Sequence, residues 1–395
     1  MPSRSALSML PRRPRRPTDQ AAQPTYLEGC MKILHVTEIV KGGLASHLDE
    51  VIPAQIARYG RDNVRLIAPA SQMNYLSATT NSVCRTFEDA QVGRLGKTLR
   101  LAGAVRHAVR DFSPDIIHAH STFGGVATRA PFRIGFSRTP TIYCPHAWSF
   151  AMDVAPWKRR AYALVERMLL SVTDVVVNET NEERDLALAF GLSPEKLRVI
   201  ANGMAPEPGA FVPRGLAAPG EENGLHLLFV GRFARQKGLD LLLEAARRCD
   251  DPAVVIHVVG EADDDYDPTA NGVPPNVRLL GWATRSDLTA YLMAADALVM
   301  PSRWEGMPMI ALEAMRAGLP IIANDIELMR DIVTPDTGIL IDANDPDAFA
   351  KLLSTLDRER LRTLGQGARQ AFEARFSVNR QVDAFDRLYS EVLHG

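Results

Sequence analysis

The chain predicts an α/β fold used twice, as two parallel sheets each covered by helices on both faces. Three observations predict it. Short apolar runs alternate with helical patterns from residue 32 onward, as parallel strands buried on both faces require. The alternation stops over 204–223, where proline and glycine accumulate, and then resumes. A length of 395 residues suffices for two separate cores.

Residues 1–30, with Pro-Arg-Arg-Pro-Arg-Arg-Pro at 11–17, carry no apolar period. Proline and like charge argue for a disordered basic extension. Met31 directly precedes the first strand, which makes it a candidate for the biological start. The first domain, 31–203, has strand patterns at 32–37, 64–68, 115–118, 139–143, 174–177 and 197–200. Helical patterns lie between them at 45–59, 95–109, 157–170 and 182–190, and 71–92 reads as a long irregular segment. Residues 204–223 form the expected linker. The second domain, 224–376, has strand patterns at 225–230, 254–259, 277–280, 297–300, 319–323 and 338–341. Its helical patterns fall at 239–248, 287–294, 309–317, 327–332 and 347–356. The tail reads as two helices interrupted near Ser377, the last within 377–395.

Composition narrows the class. The 46% hydrophobic and 23% charged content is ordinary for a globular protein, no apolar run has the length of a membrane span, and no signal-peptide pattern is read. Cys30, Cys84, Cys144 and Cys249 are scattered, without metal-ligand spacing or a disulfide framework, so a reducing, cytoplasmic setting is expected. The net charge of −2 hides an asymmetry: +3 over 1–30, +5 over 31–203 and −10 over 204–395. A basic first half can face anionic lipid or an acidic substrate, or be scatter.

The chemistry concentrates in two βα connections. After the apolar run 297–300 comes a turn, Ser302 to Pro308, and then a helix ended by Gly318. Free N–H groups at that helix start favour an anion such as a diphosphate. Glu305 in the turn and Glu313 in the helix can accept hydrogen bonds from sugar or ribose hydroxyls; the plain alternative is two solvated glutamates. Gly231-Arg-Phe-Ala-Arg-Gln-Lys-Gly238 follows the strand at 225–230 directly. Gly231 permits a tight exit, and Arg232 and Lys237 can neutralise a nucleoside diphosphate; the plain alternative is a solvated basic turn.

Together the Glu305–Glu313 stretch and the Gly231–Gly238 loop resemble the paired motifs of retaining, nucleotide-sugar-dependent glycosyltransferases of family 4. The resemblance implies the GT-B architecture: two Rossmann-like domains facing a central cleft, with the last helix crossing back to the first domain. It implies that Arg232, Lys237 and the turn Gly306, Met307, Pro308 and Met309 serve the diphosphate. Glu305 would hold donor-sugar hydroxyls and Glu313 the ribose. Gly42 and Gly43, after the first strand, let backbone approach a phosphate or sugar, and in the family they do so.

His146 lies past the fourth strand, where related enzymes place a histidine near the donor sugar; a structural histidine is the alternative. His118 and His120 are further candidates, lining the cleft on the acceptor side, and Asn202 and Gly203 resemble the hinge entry. Asp263 and Asp265 could imitate a metal-binding pair, yet the cations at Arg232 and Lys237 already supply the charge, so neither metal nor other cofactor is expected.

The implied reaction is transfer of a hexose-type sugar with retained configuration. The implied partners are a nucleotide sugar and a glycan or lipid-linked glycan acceptor, by analogy in bacterial exopolysaccharide, capsule or lipopolysaccharide assembly. No nucleic-acid partner is expected. A nucleotide-sugar 2-epimerase of the same architecture and a catalytically silent nucleotide-sugar-binding protein remain open. Leu95, Leu99, Ala102, Val105 and Val109 on one helical face, with cations around them, and Trp157-Lys-Arg-Arg160 add an expected anionic membrane contact. The alternative is burial of those apolar residues against the sheet.

Overall fold

The computed structural model describes residues 31–133, 139–152, 154–207, 215–216, 223–262, 266–270 and 272–394. The basic extension 1–30, Asp263 to Asp265 and most of the expected linker lie outside them.

The first sheet has strands β1 (Ile33–Val36), β2 (Val64–Pro69), β3 (Cys84–Phe87), β4 (Ile116–His120), β5 (Thr141–Cys144), β6 (Val175–Asn178) and β7 (Leu197–Val199). They run parallel in the order β3-β2-β1-β4-β5-β6-β7. The second sheet has β8 (Leu225–Val230), β9 (Val254–Val259), β10 (Val277–Gly281), β11 (Ala297–Met300), β12 (Ile321–Asn324) and β13 (Gly338–Ile341). It too is parallel, in the order β10-β9-β8-β11-β12-β13. These are the two Rossmann-like units expected. In such sheets ligands gather outside the carboxyl ends of strands where the order reverses, here between β1 and β4 and between β8 and β11. The ends of those four strands and the loops leaving them carry Gly42 and Gly43, His120, Gly231 to Gly238, and Pro301 to Pro308.

Three elements escape the sequence patterns, one of them the single-turn helix Ala78–Asn81 in the segment read as irregular. Helix Thr122–Arg133 contains a glycine pair and Pro131, which hide its period. Strand β3 lies inside the segment read as irregular, because an edge strand exposing Arg85 and Thr86 has little apolar signal.

The chain passes between the halves twice, side by side. Met204 N–H donates to Phe376 at 2.8 Å, and Val378 N–H donates back to Met204 at 2.8 Å. A Cβ on Gly203 would stand 2.4 Å from the Ser377 carbonyl oxygen, so only glycine fits that crossing. Helix Val378–His394 then packs Phe385, Leu388 and Tyr389 into the first core beside Leu48, Val51 and Ile52. Burial of such side chains is worth roughly 1.5–3 kcal/mol each before entropy is counted, which fixes the crossing helix to the first half.

Candidate active site

On the second half, two loops are laced together. Gly238 has φ +68°, and a Cβ there would meet the Pro301 carbonyl oxygen at 2.1 Å. Arg303 N–H donates to the Gln236 carbonyl at 2.8 Å, and the Gln236 amide donates to the Trp304 carbonyl at 3.0 Å. Arg303 also makes a two-pronged pair with Asp240, at 2.9 and 2.7 Å. Held so, Lys237 Nζ lies 2.6 Å from Glu305 Oε1, which also accepts from Ser302 Oγ at 2.7 Å. Arg232 is exposed, directly after Gly231 at the start of the first loop. Pro308 caps helix Met309–Arg316.

Glu313 is buried at the seam between the halves, not open to a cleft. Burial raises its pKa, against Arg285 and Arg316, while Glu50 adds to the rise and the Ser46 hydroxyl donates to it. Around it Arg285 pairs with Asp49 at 3.1 Å and Glu50 at 2.7 Å, and Arg316 lies 3.7 Å from Glu50. A Cβ on Gly43 would stand 3.6 Å from Met309, so the first βα turn meets the start of the donor helix.

On the first half, Gly42 caps helix Gly43–Tyr59 with φ +57°. Past β5, His146 (φ +49°) and Ala147 (φ +86°) both hold the left-handed backbone that side chains disfavour. Such strain costs on the order of 1–3 kcal/mol per residue and persists only where the surroundings impose it. Here Glu183 imposes it, accepting from Ala147 N–H at 3.0 Å and from Glu179 N–H at 2.8 Å. His146 Nδ1 lies 2.6 Å from Glu179 Oε1, and its Nε2 lies 2.8 Å from His120 Nδ1. The opposing turn sits against this loop: a Cβ on Gly306 would be 3.4 Å from Glu183 Oε1 and 3.7 Å from Ala147 Cβ. So the sequence-predicted Gly306 meets the His146 loop, and Gly43 meets Met309, across the cleft.

Burial sets the charges of this side. It lowers His35 to about 4 and His47 to about 3, the latter helped by His146, and holds His118 and His120 well below the ordinary imidazole range. Burial also pushes Glu179 upward, but His146, His47 and Asn202 outweigh it and keep the carboxyl below its usual range. Burial and the neighbouring Glu179 push Glu183 up to about 8.

Residues 42–203 match the family described as glycosyl transferase 4-like domain, and residues 224–358 match glycosyl transferases group 1. An uncharacterized 41.2 kDa protein in the cps region of Klebsiella pneumoniae is 27% identical over 367 residues, 91% of this chain and 99% of that protein. The UDP-Gal:alpha-D-GlcNAc-diphosphoundecaprenol alpha-1,3-galactosyltransferase of Escherichia coli is 28% identical over 299 residues, 71% of this chain and 76% of that one. The crystal structure of Anabaena HepE in complex with UDP and glucose superposes with TM-score 0.74 at 20% identity, covering 91% of this chain and 100% of that one. The chain belongs to the group 1 glycosyltransferases.

In this glycosyltransferase His118 and His120 do not line the cleft. Both are fully buried behind His146, because β4 is a central strand covered on both faces. His118 Nδ1 lies 3.0 Å from Tyr389 Oη instead. Sequence reasoning missed His35, His47, Glu179 and Glu183. Polar residues at buried strand positions were the available signal for His35, and His47 sits four residues after Gly43 on the same helix. Asn202 is more than a hinge residue: it bonds His47 at 2.9 Å, Glu179 at 2.9 Å and Gln381 at 3.2 Å.

Three sets among the described residues have the composition of a transition-metal site: His35, His118 and His120; His47, His120 and His146; and Cys144, His146 and Glu179. Most of their ring nitrogens are engaged in hydrogen bonds to one another or to Glu179, Gln55, Asn202 and Tyr389.

Proposed function

We propose that this glycosyltransferase moves a hexose-type sugar from a nucleotide-diphosphate sugar to a hydroxyl acceptor, with retained anomeric configuration. The observation that carries the reading is the Lys237–Glu305 pair, 2.6 Å apart in a turn that abuts the His146 loop. It sets a cation for the diphosphate beside a carboxylate for the sugar, and it brings an imidazole from the other half. Arg232, Lys237 and the start of helix Met309–Arg316 serve the departing diphosphate. Glu305 holds sugar hydroxyls and Glu313 the ribose, which requires the halves to part at Ser46. The acceptor oxygen forms its bond to the anomeric carbon on the face the diphosphate leaves, and its proton passes to the leaving phosphate oxygen. The protein contributes positioning and charge stabilisation.

A lipid-linked carrier in bacterial surface-polysaccharide assembly is the acceptor class we favour. The Escherichia coli relative is named for a diphosphoundecaprenol acceptor, and the Klebsiella relative for its cps region. The described surface supports a bilayer encounter. Helix Pro156–Leu169 exposes Trp157 (67%), Leu164 (55%) and Met168 (45%) beside Lys158 and Arg160. Leu95 and Leu99 are exposed as well, whereas Val105 is buried, so the face expected on helix Arg94–Phe112 is free only in its first half. No helix among the described residues is long and apolar enough to cross a membrane.

Incubation with a panel of nucleotide sugars and lipid-linked or soluble acceptors tests the reading. Acceptor-dependent release of nucleoside diphosphate supports it; an isomerised donor indicates an epimerase; binding without turnover indicates a silent protein. Turnover is expected to persist in EDTA, because protein cations meet the diphosphate. Loss in EDTA with recovery in magnesium or manganese would overturn that part.

A further inference from the structure

Three histidines join the cleft to the crossing helix in one hydrogen-bonded string. From Glu179 the links run to His146 at 2.6 Å, on to His120 at 2.8 Å, on to His35 at 2.9 Å, and on to Gln55 Oε1 at 2.6 Å. The Gln55 amide nitrogen then donates to Tyr389 Oη at 3.2 Å. Both ring nitrogens of His146, His120 and His35 are thereby used.

A count of hydrogens sets the protonation of the string. Its two ends, the Glu179 carboxylate and the Gln55 carbonyl oxygen, are both acceptors, so four links need four N–H hydrogens. Three neutral imidazoles carry three. With Gln55 turned oxygen-first, one histidine must hold a second proton. With the amide turned nitrogen-first, Gln55 donates to His35 and three hydrogens suffice; Tyr389 then donates its O–H to the Gln55 oxygen and still accepts from His118. Amide oxygen and nitrogen have nearly the same shape, so both arrangements fit one cavity.

We propose that His120, His35 and Gln55 are positioning residues that hold one extra proton on His146, with the Gln55 amide orientation coupled to its presence. The proton belongs at the cleft end because only there does a carboxylate face the string. Burial keeps His35 and His120 neutral. His146 is faced by Glu179 at the end of β6, by His120 on β4, and by His47 on helix Gly43–Tyr59, with ring centroids 4.7 Å apart. Glu183 stands behind Ala147, Cys144 lies on its own strand, and Lys237 and Glu305 belong to the opposing turn. His35 is faced by His118 and His120 with ring centroids 5.3 Å away, and by Gln55.

In the protonated state both N–H groups of His146 point inward, to Glu179 and His120, so the ring offers the cleft a positive charge and no donor. In the other state His146 keeps its Nδ1 hydrogen, accepts at Nε2 from His120, and is neutral. The two states differ by one proton, exchanged with water at His146, whose side chain is 10% exposed. The charge would stabilise the departing diphosphate, which rests on the reading of His146 above; the hydrogen count does not.

Removing the Gln55 amide tests it on the full chain labelled with 15N-histidine. Gln55→Leu and Gln55→Met both remove the demand for a fourth hydrogen. The His146 resonance, assigned by its loss in His146→Asn, should titrate about one pH unit lower in each, a ten-fold change in proton affinity. If one variant does not fold, the downward shift in the other is the deciding measurement. An unmoved or raised resonance in a folded variant overturns the proposal. The pH profile of turnover should move with the resonance. Movement of the resonance alone upholds the string and removes His146 from catalysis.

Discussion

The two halves of the cleft are built in opposite ways. On the second half a lysine and a glutamate, held by two laced loops, present fixed opposite charges 2.6 Å apart. On the first half four buried histidines, held neutral by burial, stand behind His146 and its partner Glu179, and charge appears only where a proton is held. Fixed charges suit an anion that must be gripped throughout a reaction; a titratable cluster suits a place where charge changes. The difference also explains why one half is readable and the other is not.

Breaking the fixed pair has the largest expected effect. Lys237→Ala removes the proposed diphosphate cation and leaves Glu305, with a side chain only 5% exposed, without its ion partner. Turnover should fall about 10²–10³-fold, as for removal of one transition-state donor. Nucleoside-diphosphate affinity should fall ten-fold or more, since a charge-assisted bond is worth roughly 1.5–3 kcal/mol. Lys237→Met with Glu305→Gln should recover thermal stability but not turnover, which separates grip from folding. Unchanged affinity by calorimetry in both Lys237→Ala and Arg232→Ala would remove the proposed role.

Acid should sharpen the comparison from the other side. His35 and His47 titrate at about 4 and about 3 in the folded chain, below the ordinary value of 6.5, because burial disfavours their charged forms. Their contribution is therefore fully present above pH 6.5 and is lost as pH falls toward 4; for His35 this is roughly 3 kcal/mol at pH 4. Glu183 has the opposite sign: raised to about 8, it favours the fold at low pH and loses that contribution as pH rises from 4.5 through 8. The second half holds one buried histidine pair among its described residues, His226 and His257. Amide exchange should find β1 and β4 losing protection at a higher pH than β8 and β11. Equal loss in both sheets would sink the contrast.

The second half was legible because its chemistry is contiguous. Loops 231–238 and 301–308 each follow one strand, and the glycines and charges inside them can be read without a fold. What the sequence hid there is that Lys237 pairs with Glu305, and that Glu313 is shut against Ser46. Both depend on a register between loops 68 residues apart or on contact between halves. The first half contributes one residue from each of several strand ends: His35 from β1, His120 from β4, His146 past β5, Glu179 past β6. Those positions converge only when the order β1-β4-β5-β6 is known. A histidine in a strand reads as surface or cleft until burial is known, which is why the sequence points to His118 and His120 as cleft-lining residues. The doubled fold itself was legible because strand and helix periods, and one proline-rich break, are local.

A weaker effect separates the halves at the bilayer. The exposed apolar and basic residues of helix Pro156–Leu169 and the start of helix Arg94–Phe112 all belong to the first half. Each cation near an anionic surface contributes about 1 kcal/mol, and buried apolar area adds to it. Flotation of a chain lacking residues 1–30 with anionic vesicles should show binding that Trp157→Ser with Leu95→Ser and Leu99→Ser reduces several-fold. A truncated chain that ignores such vesicles at low salt would return the acceptor to the soluble phase.

The smallest expected effect lies on the seam between the halves. Arg285 reaches from the second half to Asp49 and Glu50 of helix Gly43–Tyr59, but its side chain is 45% exposed. Solvent screens such a pair, so its loss should cost only about 0.5–1 kcal/mol. Its position makes that small term informative. Glu50 also holds Ala205 N–H at 2.7 Å, beside the strand crossing at Met204, and lies 3.7 Å from Arg316 one turn past Glu313. Arg285→Ala should therefore weaken the contact that keeps Glu313 shut without touching the Lys237–Glu305 pair. If ribose reaches Glu313 only when the halves part, the variant should bind free nucleoside diphosphate up to about five-fold more tightly, since less interaction must be broken first. The gain should fade in high salt, where the wild-type pair is screened as well. Weaker binding in Arg285→Ala at low salt would mean instead that the arginine meets the ligand, and that the seam as it stands is already the bound arrangement.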